Sequence, residues 1–189
     1  MKTFYKRLLP LFLAALITIS LTGCKFNIDY DIEVSTDKNE NTEVRTELSG
    51  PYDVIRVVDG DTIIIDLNGE KTKVRFSNVD TPESVAGEES GKENTPEGFV
   101  ASDYTKKLLP DGSKVYLEYD NKTKDKYDRV LAYVYLEDGE TMIQRLLLKD
   151  GMAKVFNDKQ NKRYTDEFFK LQDEAKASKI GIWAGENND

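Results

Sequence analysis

The chain has 189 residues, one cysteine and no histidine. This inventory excludes internal disulfides, thiolate zinc sites and histidine-based triads, so any chemistry must use carboxylates, arginine, lysine, tyrosine and hydroxyls. A formal net charge of −8 argues against a protein that holds nucleic acid through a general basic surface, but leaves room for a local basic cleft.

The first residues read as an export signal. Lys2, Lys6 and Arg7 precede an apolar run from Leu8 to Leu21, and Leu21-Thr22-Gly23 stands directly before Cys24. A charged segment, an apolar segment and a small-residue cleavage site in that order mark secretion. The ending resembles that of bacterial lipoprotein signals. The resemblance implies cleavage before Cys24, lipid on its sulfur and attachment to the outer face of the bacterial cell membrane. An ordinary secretory signal or a short membrane anchor is the alternative; the position of the single cysteine favours the lipoprotein. Residues 1–23 are therefore expected to be signal peptide, and residues 24–50 a lipidated cysteine with an acidic linker. Lys25 to Gly50 holds seven acids, three bases and few large apolar residues, the composition of a mostly disordered tether. The alternating stretch "FNIDYDIEV" forms an added strand in the alternative reading.

From Pro51 the pattern changes, and residues 51–185 are expected to fold, with 186–189 as a tail. "YDVIRVV" leads to a turn at Asp59–Gly60, "TIIIDL" leads to a second at Asn68–Gly69, and "KTKVRF" follows. These turn dipeptides between β-rich runs predict a three-stranded meander over Tyr52 to Phe76. Gly87 to Gly98 lacks periodicity and reads as a loop. Phe99 to Leu109 reads as a helix with Phe99, Tyr104 and Leu108 near one face, ended by Pro110-Asp111-Gly112. "KVYLEY" and "VLAYVYL" are two further strands, Met142 to Lys149 a short helix, and "AKVF" a short strand. Tyr164 to Ser178 is an amphipathic helix with Thr165 as N-cap and Phe168, Leu171 and Ala175 buried. Ile182 and Trp183 are expected to pack back on the core. The fold class is thus α+β, mainly β: a five-stranded OB-type barrel with three packed helices.

The chemistry gathers in "VDGDT" and "VRFSNVDTPE". Singly, each is an ordinary turn. Asp59-x-Asp61 with Glu70 at the twelfth position imitates an EF-hand loop, but the sixth position is Ile64, where glycine is needed, and the flanks are strands. Together the two stretches carry more. Asp61 begins the second strand and Asp80 follows the third, so a meander brings them to one end of the sheet. Neighbouring carboxylates repel unless positive charge lies between them. Arg75 balances part of the charge and a hard cation the rest; oxygen-only ligation suits Ca²⁺ or Mg²⁺. Glu83, past the rigid Thr81–Pro82 step, is placed off the metal, facing a water molecule. Arg129 enters the next strand after the polar run "NKTKDKYDR", which alone would be a solvated charge run.

"VIRVVDGDT", "VRFSNVDTPE", "DKYDRVLAYVYLEDGE" and the terminal "IGIW" occur in the order and spacing seen in the staphylococcal nuclease (thermonuclease) family, which the chain resembles from about Val54 to Trp183. The resemblance implies an OB-type barrel with three helices and Ca²⁺-dependent hydrolysis of DNA and/or RNA. It implies Asp61 and Asp80 as carboxylate calcium ligands, Thr81 as a backbone-carbonyl ligand and Glu83 as general base. Arg75 and Arg129 would clamp the phosphate, with Lys126 and Tyr127 near the terminal phosphate of a bound nucleotide.

Three features depart from the family. Asp128 replaces a common glycine and threatens to pair with Arg129. Asn157 and Asp158 stand where tyrosines often line the nucleotide pocket. The loop Gly87 to Gly98 holds four acids and one lysine. The leading expectation is a monomeric, surface-tethered nuclease acting on extracellular DNA or RNA. The alternatives are a non-catalytic OB-type module binding nucleic acid or a peptide, and a structural envelope lipoprotein.

Overall fold

The computed structural model describes residues 47–84 and 93–185. The signal segment, Cys24, nearly all of the linker, the tail and residues 85–92, which include the first half of the 87–98 loop, lie outside the described residues. Among the described residues no helix is long and apolar enough to cross a membrane.

In chain order the elements are β1 (Ser49–Asp59), β2 (Thr62–Leu67), β3 (Glu70–Phe76), β4 (Val79–Asp80), α1 (Pro96–Leu108), β5 (Lys114–Glu118), β6 (Val130–Tyr135), α2 (Ile143–Lys149), β7 (Lys154–Val155) and α3 (Thr165–Ala177). A 3₁₀ turn at Gly181–Trp183 follows. Five strands close a barrel in the order β1-β2-β3-β6-β5, and β4 pairs with β7 beside it. The barrel and the three helices agree with the fold expected from the sequence.

The meander forms as the turn chemistry dictates. Asn68 and Gly69 both take positive φ, 56° and 91°, which the tight turn of a two-residue hairpin requires. β3 then pairs in parallel with β6, a crossover that local patterning does not reveal. β1 closes the barrel by serving two neighbours: its second half pairs with β2 and its first half with β5. Ser49 already pairs with Leu117, so the folded chain starts ahead of the boundary at Pro51. Alternation puts Ile63, Ile65, Val74 and Phe76 inside, whereas all six residues of β6 are buried because helices cover its outer face. Gln144 of α2 completes the β6 edge, donating to the Ala132 carbonyl (2.9 Å) and accepting from the Val134 N–H (3.1 Å).

Two helix starts differ from expectation. α1 begins at Pro96 rather than Phe99: the Thr95 hydroxyl accepts the Gly98 N–H (3.0 Å) and Pro96 needs no partner for its nitrogen, the arrangement favoured at a helix entry. Its buried face is Gly98, Ala101, Ser102 and Thr105, and Phe99 is 53% exposed. Small residues win because the helix lies close against the β1–β2 turn, where the Thr105 hydroxyl donates to the Gly60 carbonyl (2.6 Å). In α3 the cap position is Tyr164; Thr165 is already helical and makes no cap hydrogen bond. Phe168 and Ala175 are buried as expected, and Trp183 packs back on the core.

A buried carboxylate ties α3 to the barrel. Glu118, 2% exposed, accepts the hydroxyls of Tyr135 (2.6 Å) and Tyr164 (2.9 Å) and pairs with Arg163. Burial, then the Glu118 contact and the Tyr164 hydroxyl, push the Tyr135 phenol well above its ordinary range. The fold therefore favours the neutral phenol, whose contribution is complete below about pH 10 and is lost as pH rises past it. Glu118→Ala should cost about 2–3 kcal/mol in urea unfolding, since it strands three donors, one of them partly solvated. Wild-type stability should fall above about pH 10, and Tyr135→Phe should flatten that decline; parallel curves would contradict the assignment.

Candidate active site

One end of the barrel opens into a cavity of ≈ 620 Å³. Its walls come from the β1–β2 turn, the end of β3, the segment after β4, the loop before β6 and the segment after β7. Asp61, Arg75, Asp80, Thr81, Glu83, Lys126, Tyr127 and Arg129 all line it. The fold thus brings together every site residue expected within the domain; Cys24 lies outside the described residues.

Strand register sets the acid cluster. Thr62 is paired with Arg75, and the Phe76 N–H donates to the Asp61 carbonyl (2.8 Å), so Asp61 and Arg75 must meet. Asp61 is buried; its Oδ2 accepts the Thr81 N–H (2.8 Å) and hydroxyl (3.1 Å) and pairs with Arg75 Nη1. Its Oδ1 accepts the Thr62 hydroxyl (3.0 Å). Arg75 Nη2 donates to Asp80 Oδ1 (2.7 Å). One guanidinium therefore spans both carboxylates and leaves the pair with net negative charge. Arg75 Nη1 is buried and engaged by its ionic contact with Asp61.

Glu83 is held through its backbone. Its carbonyl accepts the Thr95 N–H (2.9 Å), and α1 comes so close that a Cβ on Gly98 would sit 2.0 Å from that carbonyl oxygen. Only glycine fits there. Ser84, the next residue, gives its hydroxyl (2.6 Å) and N–H (3.3 Å) to Asp59 Oδ1. Asp59, Ser84 and Gly98 were not among the expected site residues. Asp59 carried a signal in "VDGDT", but the partners that give it a task are distant in sequence.

Arg129 is positioned by Asp125, not engaged by Asp128. Its Nε–H donates to Asp125 Oδ2 (2.6 Å) and its backbone N–H to Oδ1 (3.0 Å). Asp128 instead pairs with Lys124 (2.8 Å) and takes φ 62°, a left-handed conformation that aspartate tolerates and glycine adopts freely. The ring of Tyr127 has Lys126 Nζ at 4.8 Å and the Arg129 guanidinium at 5.4 Å from its centre. Burial alone would raise the Asp125 carboxyl; hydrogen bonds from the Arg129 side chain and from the Arg129 and Tyr127 backbones outweigh it and hold the group below its usual range.

Phe156 supplies an aromatic wall that sequence reading missed. It lines the cavity while 55% exposed. Asn78, buried at φ 61°, anchors that segment: its Nδ2 donates to the carbonyls of Phe156 (3.2 Å) and Asn161 (2.9 Å), and its carbonyl accepts the Phe156 N–H (2.9 Å).

The donor set fits a hard divalent cation: carboxylate and carbonyl oxygens only, with excess negative charge and an acceptor site left on Asp61 Oδ1. Among the described residues no group of three or more acidic, histidine or cysteine side chains is arranged for a metal; the expected set needs two carboxylates and a backbone carbonyl.

The family described as "Staphylococcal nuclease homologue" matches residues 73–185. The chain is 43% identical over 136 residues to the thermonuclease of Staphylococcus hyicus, covering 70% of this chain and 75% of that protein. It is 44% identical over 149 residues to the thermonuclease of Staphylococcus intermedius, covering 77% and 82%. It is 33% identical over a 204-residue alignment to endonuclease YncB of Bacillus subtilis (strain 168), covering 95% and 92%. The chain belongs to the staphylococcal nuclease family.

The depressed Asp125 group gives a direct test of the Arg129 support. Its contribution is present above the ordinary aspartate value of about 3.9 and is lost only as pH falls through the lower folded value. The side-chain carboxyl resonance of Asp125 should titrate below about pH 3.9, and Arg129→Ala should move the midpoint upward. A midpoint insensitive to Arg129 would contradict the pairing.

Proposed function

We propose that this chain is a nuclease, a phosphodiester hydrolase that cuts DNA or RNA with calcium held by Asp61, Asp80 and the Thr81 carbonyl. The observation that carries this reading is the convergence of Arg75, Glu83 and Arg129 with those aspartates on one cavity, in a family whose relatives above are named thermonucleases and an endonuclease.

The chemistry follows from the side chains. Attack on a phosphodiester builds negative charge on the phosphoryl oxygens and the leaving oxygen. Arg75 and Arg129 oppose that charge in a site already formed, and guanidinium forks match paired phosphate oxygens. Arg129 spends Nε on Asp125, which leaves its Nη groups for phosphate. Arg75, held by Asp61 and Asp80, faces the same cavity. Glu83 accepts the proton of the attacking water; a carboxylate is a weak base, so fixing that water contributes much of the effect. The double hold on the Glu83 backbone serves this placement. When bound, the cation adds positive charge beside the phosphate and acidifies or orients water. Tyr127 and Phe156 flank the nucleotide, and Lys126 meets its terminal phosphate. Lipidation at Cys24 would place a monomeric enzyme at the outer membrane face, with extracellular nucleic acid as substrate.

Purified protein should digest plasmid DNA or RNA with calcium and stop on addition of EDTA. Arg75→Ala and Arg129→Ala should each lower kcat by about 10²–10³, or roughly 3–4 kcal/mol, and Glu83→Gln by about 10²–10⁴. Phe156→Ala should act chiefly on KM, by about 1–3 kcal/mol for one lost stacked base. Strand binding without cleavage by the unaltered protein would instead identify a non-catalytic OB-type module.

A further inference from the structure

The outward face of β3 continues the cavity as a line of positive charge. Val74 and Phe76 point into the core, so the two-residue period puts Lys71, Lys73 and Arg75 together on the other face, at steps of about 7 Å. Lys73 and Arg75 both line the cavity; Lys71 is exposed beyond it, toward the β2–β3 turn. Cross-strand register extends the line sideways. Lys73 is paired with Ile64, and Ile64 with Arg56 of β1, which is exposed. Among the described residues Lys71, Lys73 and Arg56 make no ion pair. The nearest opposing charge by register is Asp66, the partner of Lys71, whose Oδ1 accepts the Gly69 N–H.

We propose that this face of β3 is a path for a single nucleic-acid strand leaving the cavity, with Lys73 and Lys71 taking successive phosphates beyond the one held at Arg75. The inference rests on reading the cavity as a nucleic-acid site. The occupant is set by charge complementarity: a chain of net charge −8 sets unpaired lysines in single file, at a step comparable with the backbone repeat of an extended nucleotide. A polyanion with regularly spaced charges suits that file. The partly exposed Ile64 between Lys73 and Arg56 gives sugars and bases an apolar contact without sequence preference. The corresponding face of OB-type barrels is a common oligonucleotide surface.

The test uses fluorescein-labelled oligothymidylates of twelve and of two nucleotides, titrated by anisotropy over a salt series with EDTA present to prevent cutting. Lys71→Glu/Lys73→Glu should weaken binding of the twelve-mer on the order of tenfold and reduce its salt slope by about 1.4, the value for two phosphate contacts on a single strand. The dinucleotide should lose markedly less. Lys107→Glu/Lys170→Glu, an equal charge change at exposed positions of α1 and α3, should leave the twelve-mer slope in place. Equal affinity and slope in the double variant would overturn the path while leaving the nuclease reading intact, because cleavage with calcium is scored separately. No twelve-mer binding and no cleavage by the unaltered protein would overturn both. Loss of binding to phosphatidylserine vesicles with twelve-mer binding unchanged would make this face a lipid contact and also overturn the path.

Discussion

Asp61 stands at the start of β2 with one oxygen shared among the Thr81 N–H, the Thr81 hydroxyl and Arg75. A buried carboxylate is tolerable only when its oxygens are hydrogen-bonded and its charge is opposed. Here both conditions are met by residues from β3 and from the segment after β4, so satisfying Asp61 fixes where those pieces lie. The neighbouring Asp59 does the same for Ser84. Two acidic residues of one turn thus hold Thr81 and Ser84, and the chain between them carries Glu83. The requirement to satisfy buried charge and the placing of the proposed base coincide in four consecutive residues.

The remaining walls follow the same logic with other groups. α1 presses Gly98 against the Glu83 backbone and anchors the Gly60 carbonyl through Thr105. It therefore braces the Asp59–Asp61 turn and the Glu83 segment at once. Asp125 steadies Arg129 by accepting both a side-chain and a backbone N–H, and Asn78 fastens the segment bearing Phe156. Each functional side chain is held by a polar residue whose own needs are met in doing so. Such supports matter because misplacement of a reacting group by about an ångström costs large factors in rate.

Much of this was legible in the residue order. Asn68–Gly69 announces its hairpin, alternation in "TIIIDL" and "KVRF" marks the core side, and the meander alone predicts that Asp61 and Asp80 share an end. Other parts depend on partners far along the chain. The pairing of β3 with β6 in parallel has no local signature, nor does the task of Asp125 or Asn78. Phe99 was misplaced because apolar periodicity assumes that helices bury large residues; α1 buries glycine, alanine and threonine to approach a turn closely. Asp128 was suspected as a partner for Arg129 from adjacency, yet successive residues in a tight turn diverge, and its left-handed backbone aims the carboxylate at Lys124.

Net charge and local charge pull in opposite directions in this protein. At distances beyond a Debye length, about 8–10 Å at physiological salt, an approaching polyanion meets a field of the same sign, so long-range steering does not help it. Inside that distance the sum is taken over fewer groups, and the cations of the cavity wall and of β3 nearly offset the acids there. Arg75 and Arg129 are moreover leaned upon by Asp61, Asp80 and Asp125, which lowers their free attraction for phosphate but holds them in place before it arrives. Preorganised cations of this kind favour a charge that appears late, in the transition state, over one carried by any passing strand. An acidic protein with buttressed arginines is therefore better suited to hydrolysing a phosphodiester than to retaining one.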